Sequence, residues 1–155
     1  MQTKTIERSV AAPKKAKLNA GVCAGTTIMT MEGEMPVEHL EPGMRIITRD
    51  SGMAILRKID VATQKIAPIR IKAGSLGHTR PDRDMMVTPN TILHIRDWRA
   101  EALFGTQTAN IEAARLVDGE YLAPQAAQKM TTYTLTFDRQ HILYADGIEM
   151  ASAAV

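Results

Sequence analysis

At 155 residues, 45% of them hydrophobic, the chain can bury one core of ordinary size and not two, so a single domain is expected. A formal charge of +2 gives no broad basic face for nucleic acid, and one Cys excludes an internal disulfide and a cysteine-only zinc ribbon. No apolar run approaches the length that crosses a bilayer and no apolar secretory stretch opens the sequence, so a soluble chain with no membrane partner is expected.

Positive charge gathers in residues 1–20, where Lys4, Arg8, Lys14, Lys15 and Lys17 face only Glu7 and no apolar period is visible. This composition predicts a flexible, solvated basic tail. A nucleic-acid arm is the sharper reading, but it lacks interleaved aromatic residues, so nucleic acid is not expected as a partner.

Beyond the tail, apolar alternation recurs in short stretches at 26–30, 44–48, 53–61, 69–72, 84–88, 92–95, 121–123, 132–137 and 142–145. Each is bounded by turn chemistry such as Glu32-Gly33, Ser51-Gly52 or Asp118-Gly119. Many short strands at close spacing predict an all-β domain. Six aromatic residues against ten Met predict an aliphatic core. Helical patterning is confined to 98–104, before Gly105, and 111–116, before Gly119. Within the first of these, Trp98 and Arg99, with Arg96 nearby, fit either an exposed cation–π surface or packing in the core or at an edge.

Two segments share one grammar. Leu40-Glu41-Pro42-Gly43 leading to Ile46, and Leu116-Val117-Asp118-Gly119 leading to Leu122, both read as a half-turn ending at a Gly able to take positive φ, followed at once by a strand. Such an echo is what a duplicated, pseudo-symmetric sheet leaves behind. Near the end of the chain, Tyr133, Leu135 and Phe137 alternate, Asp138 to Gln140 form a polar break, and Ile142 to Ala145 run into the tight-turn pair Asp146-Gly147. His141 therefore heads the second of two consecutive strands.

That order resembles the last block of the Hint family, the self-processing domains of hedgehog proteins and inteins. Residues 21–52 resemble the family's opening block, with Gly25-Thr26, Ile28, Gly33, Val37, Glu38, Leu40, Gly43, Ile46, Thr48 and Asp50 in place, and residues 68–89 are similar to the bacterial Hint subfamily. The resemblance spans residues 21–152. It implies a pseudo-symmetric horseshoe of short strands with one or two brief helices, and autoprocessing chemistry.

Carried onto this chain, the resemblance makes Cys23 the nucleophile, which would attack the Val22 carbonyl through a five-membered ring and turn an amide into a thioester. Such a step needs a strained peptide, a stabilised oxyanion and a proton for the departing nitrogen. Cys23 lies two residues before Gly25, whereas the subfamily's nucleophile precedes Gly-Thr by four or five. That keeps strand parity but moves the side chain several ångströms, at about 3.3 Å per residue. An inert, small buried thiol is the competing reading. A nucleophile elbow in Gly21-Val22-Cys23-Ala24-Gly25 would need a helix after it, where 26–30 reads as strand.

The family's middle motif, Thr/Ser-x-x-His, falls on Thr88-Pro89-Asn90-Thr91, so Thr88 matches the hydroxyl that fixes the scissile peptide and Thr91 stands where the acid His belongs. A hydroxyl cannot supply the acid catalysis that is worth about 10²–10⁴ in rate. His94, three residues on, would face away in a strand. The last-block resemblance assigns His141 to the acyl shift or later cleavage, and Asp138 either to orienting His141 or to capping a turn. His39, His78, His94 and His141 show no helical pairing and no phosphate loop occurs, so neither a metal nor a small-molecule cofactor is expected. Because the ending MASAAV lacks the terminal His-Asn of inteins and carries no sterol-binding extension, neither complete splicing nor hedgehog-type steroid transfer is expected.

Two functions follow from the resemblance. One is single-turnover self-cleavage through an N–S acyl shift at Val22-Cys23. The other is a degenerate, non-catalytic Hint domain kept as a structural or protein-interaction module. In either case the partner implied is a protein or a fused cargo.

Overall fold

The computed structural model describes residues 21–77 and 79–154; the basic tail and His78 lie outside these. In chain order the strands begin with β1 (Val22–Cys23), β2 (Thr27–Thr30) and β3 (Gly33–Pro36), and a 3₁₀ turn (Val37–His39) leads to β4 (Arg45–Thr48), β5 (Gly52–Ile55) and β6 (Lys58–Ile66). Next come β7 (Ile69–Ile71), β8 (Met85–Val87) and β9 (Ile92–Ile95), then the helix α1 (Trp98–Phe104), β10 (Ala109–Glu112) and a second 3₁₀ turn (Ala113–Leu116). The chain closes with β11 (Leu122–Pro124), β12 (Gln128–Phe137), β13 (Ile142–Ala145), β14 (Ile148–Ala151) and β15 (Ala153–Ala154). The domain is all-β, as the alternation predicted.

An eight-stranded sheet runs β10-β9-β14-β13-β2-β4-β5 with β3 attached to β2, and a three-stranded sheet runs β11-β7-β8. The third sheet is built on β12. Its residues Gln128 to Thr136 pair antiparallel with β6 in an unbroken register from Ile66 to Lys58. That ladder occupies one edge of β12, so β1 and β15 share the other: Val22 lies opposite Tyr133, and Ala153 opposite Thr136. Both ends of the described chain therefore meet on one strand.

The core is aliphatic. Ile28, Ile46, Leu56, Ile71, Leu93, Ile111, Leu122 and Phe137 are fully buried, and Phe137 is the one aromatic ring among the largest of these side chains. Both members of the repeated grammar take the expected shape, a 3₁₀ turn followed by a glycine with φ of +95° at Gly43 or +83° at Gly119. The helix at 98–104 forms as predicted, with the Asp97 carboxylate accepting the Arg99 N–H at 2.9 Å and Gly105 closing it in the left-handed region.

The helical expectation for 111–116 is met only from Ala113 onward. Ile111 pairs with Leu93 in the β10–β9 ladder, and only Ala113 to Leu116 coil, as a 3₁₀ turn. The expected strand 53–61 is broken after Ile55, where the chain crosses from the eight-stranded sheet to the β12 sheet and Leu56 is buried at the crossing. β14 escapes any alternation rule because all four of its residues are buried.

Candidate functional site

The Val22–Cys23 peptide sits in a regular ladder. Val22 and Cys23 are 4% and 3% exposed. Ala24 N–H donates to the Thr131 carbonyl at 3.0 Å, and Thr26 N–H closes back on the Cys23 carbonyl at 3.2 Å. Among the described residues, left-handed backbone outside glycine occurs at Thr79 and Asp146 and not at this peptide. Burial pushes the Cys23 thiol up to about 11. Beside it opens a cleft of about 250 Å³ lined by Cys23, Arg70, Arg83, Met85 and Met130, among others. Arg83 is turned to the Gly25 carbonyl at 2.8 Å and to the Asp146 carboxylate at 3.4 Å. Thr132, opposite Cys23 and on the same face of the sheet, carries a buried hydroxyl with no hydrogen-bond partner among the described residues.

Thr88 and Thr91 are hydrogen-bonded to each other. Their hydroxyl oxygens are 2.7 Å apart, the Thr91 N–H donates to the Thr88 carbonyl at 3.1 Å, and both residues are 1% exposed. Ala113 N–H donates to the Thr91 carbonyl, which ties this turn to the second 3₁₀ turn. Neither hydroxyl can release a proton near neutral pH. His94 faces away from the core, with Nδ1 2.8 Å from the Asn110 side-chain oxygen on β10.

His141 is buried and fixed on three sides. Its Nδ1 lies 2.9 Å from Asp50 Oδ2, its backbone N–H donates to Ser152 Oγ at 3.0 Å, and the Phe137 ring meets the imidazole edge-on with centroids 5.6 Å apart. The second oxygen of Asp50 accepts the Ile142 N–H at 2.9 Å. Burial works to raise the Asp50 carboxyl, but the backbone N–H groups and His141 outweigh it and hold it below the ordinary range. The orienting carboxylate is therefore Asp50. Asp138 instead binds Arg57, whose Nε and Nη2 each reach a carboxylate oxygen at 2.8 Å, and that bond holds the exposed Asp138 carboxyl low. The cause is register: β13 pairs with β4 at Leu143 and Thr48, and Arg49 N–H donates to the Ile142 carbonyl, which delivers Asp50 to His141.

With Nδ1 engaged, Nε2 is the ring nitrogen left for a cleft of about 340 Å³ that His141 lines with Ser51, Arg57 and Arg139. Among the described residues none lines both this cleft and the one at Cys23. Phe137, the ring against His141, is five residues beyond the partner of Cys23 on β12, or roughly 16 Å along the strand. Of the five residues singled out by the sequence, Cys23 lines one cleft, His141 and Asp138 line another while bound to Asp50 and Arg57 respectively, and Thr88 and Thr91 bond to each other.

One charge cluster had no signal in the sequence. Glu149 on β14, 2% exposed, is gripped by Arg96 through Nε at 2.9 Å and Nη2 at 2.8 Å, by Arg80 at 3.2 Å, and approached by Arg49 at 3.6 Å. Burial would raise its carboxyl, yet the Arg96 bonds and the charges of Arg96, Arg80 and Arg49 hold it below the ordinary glutamate range. Among the described residues no three His, Cys, Asp or Glu side chains are placed to hold a metal, and no helix is long and apolar enough to cross a membrane.

The fold has counterparts in a family model and in solved structures. Residues 20–154 match the Hint domain family model, and the chain belongs to that family. It is similar in fold to a bacterial intein-like domain from Clostridium thermocellum, at 14% identity and a TM-score of 0.56 over 85% of this chain and 97% of that one. A DnaB intein from Synechocystis sp. PCC 6803 superposes with a TM-score of 0.56 at 13% identity, covering 86% of this chain and 98% of the intein. The gp41-1 intein gives a TM-score of 0.54 at 12% identity, over 86% and 97% of the two chains. No curated protein sequence matches the chain significantly.

Proposed function

We propose that this Hint domain no longer cleaves itself and serves as a folded module for protein interaction. The observation that carries the reading is the setting of Cys23: its thiol is pushed up to about 11 by burial, and among the described residues no imidazole lines its cleft. At pH 7 roughly one such thiol in ten thousand is ionised, and the thiolate is the nucleophile. The departing amide also needs a proton. Thr91 cannot give one, and His141 serves a different cleft.

Incubating the purified chain with a small thiol and measuring its intact mass tests this directly. Wild type and Cys23→Ala should both stay whole over days. A fragment beginning at Cys23 that appears in wild type and not in Cys23→Ala would sink the proposal.

A residual acyl shift at Val22-Cys23 is the second reading. What favours it is the unpartnered Thr132 hydroxyl across the strand from Cys23, a donor free to meet a developing charge. Under that reading Thr132→Val slows the thiol-dependent cleavage. Under the first there is no cleavage to slow.

A further inference from the structure

Three guanidinium groups share the single carboxylate of Glu149, so the cluster keeps a surplus of two positive charges. The carboxylate side chain is 1% exposed, whereas Arg49 is 39% and Arg96 34% exposed. The anion is thus consumed inside while the cations reach the surface. Both of those arginines line a cleft of about 490 Å³ between β9, α1 and the loop 105–108. Glu149 holds Arg96 by Nε and Nη2, which fixes the guanidinium plane and leaves its Nη1 for the cleft. Of the other acids there, Asp97 is bound to Arg99, and Glu101 is the remaining carboxylate on the rim. Arg80 touches Glu149 from outside the cleft, and with its charge included one positive charge persists after Glu101 is counted.

Trp98 forms a wall of the same cleft, 68% exposed, with the Arg99 guanidinium 4.8 Å from its ring centroid. Tryptophan and arginine are among the residue types most enriched at the hot spots of protein interfaces. We infer that this cleft binds an acidic segment of a partner protein, with a carboxylate on Arg49 and Arg96 and a neighbouring apolar side chain against Trp98. A lone phosphate or a nucleic-acid backbone would use the charge but leave the apolar surface uncovered. The inference deepens the interaction reading and rests on it.

The chain contains one Trp, so its emission reports this cleft. Titrating the full chain with a synthetic peptide of four Glu and two Leu should shift Trp98 emission saturably, and a peptide with Lys in place of Glu should not. Arg49→Gln should weaken binding about tenfold, the loss of one charge-assisted contact, while its melting curve stays close to wild type. Trp98→Phe, followed through the anisotropy of a labelled peptide, should also bind more weakly. The cleft assignment is overturned by a silent Trp98 at about 1 mM acidic peptide, by equal binding in Arg49→Gln, or by a ten-nucleotide oligothymidine that binds more tightly than the peptide. Thiol-dependent cleavage at Val22-Cys23 would defeat the non-catalytic reading and leave the titration standing, whereas a silent Trp98 in an uncleaved chain defeats only the cleft.

Discussion

Glu149 shows how much one buried charge can hold. Replacing it with Gln keeps the volume but leaves Arg96 and Arg80 without the anion that neutralises them. The expected loss is about 2–3 kcal/mol in chemical denaturation, less than for a fully buried pair because the arginine ends reach water. The effect has a pH signature. The folded-state pKa of Glu149 lies below its ordinary 4.5, so its stabilising contribution is complete above that value and disappears as pH falls through the folded pKa. Wild type and Glu149→Gln should therefore differ most near neutral pH and converge below about pH 4.5, as read from denaturation midpoints. A constant difference between pH 3 and 7 would exclude this electrostatic account. At this scale the sequence was only partly legible. Cys23 and His141 carry their chemistry in their identity, but the carboxylate on His141 is 91 positions away in the chain. A reader of the sequence reaches first for Asp138, three residues off, which Arg57 has already taken. Glu149 and its three arginines come from four separate segments, and no local pattern joins them.

At the level of elements, the β13–β14 hairpin depends on its turn. Asp146 and Gly147 both have positive φ, +49° and +88°, the conformation that two-residue hairpins of this hand require. Asp146 adds an anchor to β2, since its carboxylate accepts from the Thr27 N–H at 3.0 Å and the Thr27 hydroxyl at 2.8 Å. A Cβ at position 147 would stand 2.9 Å from Asp82 Oδ1. Gly147→Ala should then cost about 1–2 kcal/mol, measured by thermal or urea unfolding, with the sheet content unchanged in circular dichroism. The Asp-Gly pair announced this turn from sequence, as alternation announced β9 and β13 at their full extent. Elements that bury both faces, or that begin at Gly and end at Pro as β3 does, gave no such period. The stretch 111–116 misled because its apolar spacing suits a helix, while the β9 edge beside it offered Ile111 and Asn110 a ladder.

Across the whole molecule, β12 is the member on which the most depends. Its residues Thr132, Tyr133 and Thr136 are paired on both edges, to β6 on one side and to β1 or β15 on the other. Amide hydrogens in this stretch should exchange only through global unfolding, while those of the exposed loop 105–108 exchange orders of magnitude faster; mass spectrometry of exchanged fragments measures both. Protection of β12 no greater than that of the loop would contradict the register. The same strand brings the two ends of the described chain together, since the positions opposite Val22 and Ala153 are three residues apart on one edge, roughly 10 Å. A unit whose entry and exit points are neighbours can be spliced as a single bead into a surface loop of another protein without prying that loop open. By the same geometry, its ends can be stitched together by a short linker and the chain reopened elsewhere. A circular permutant opened in the loop 105–108 should fold to the same sheets.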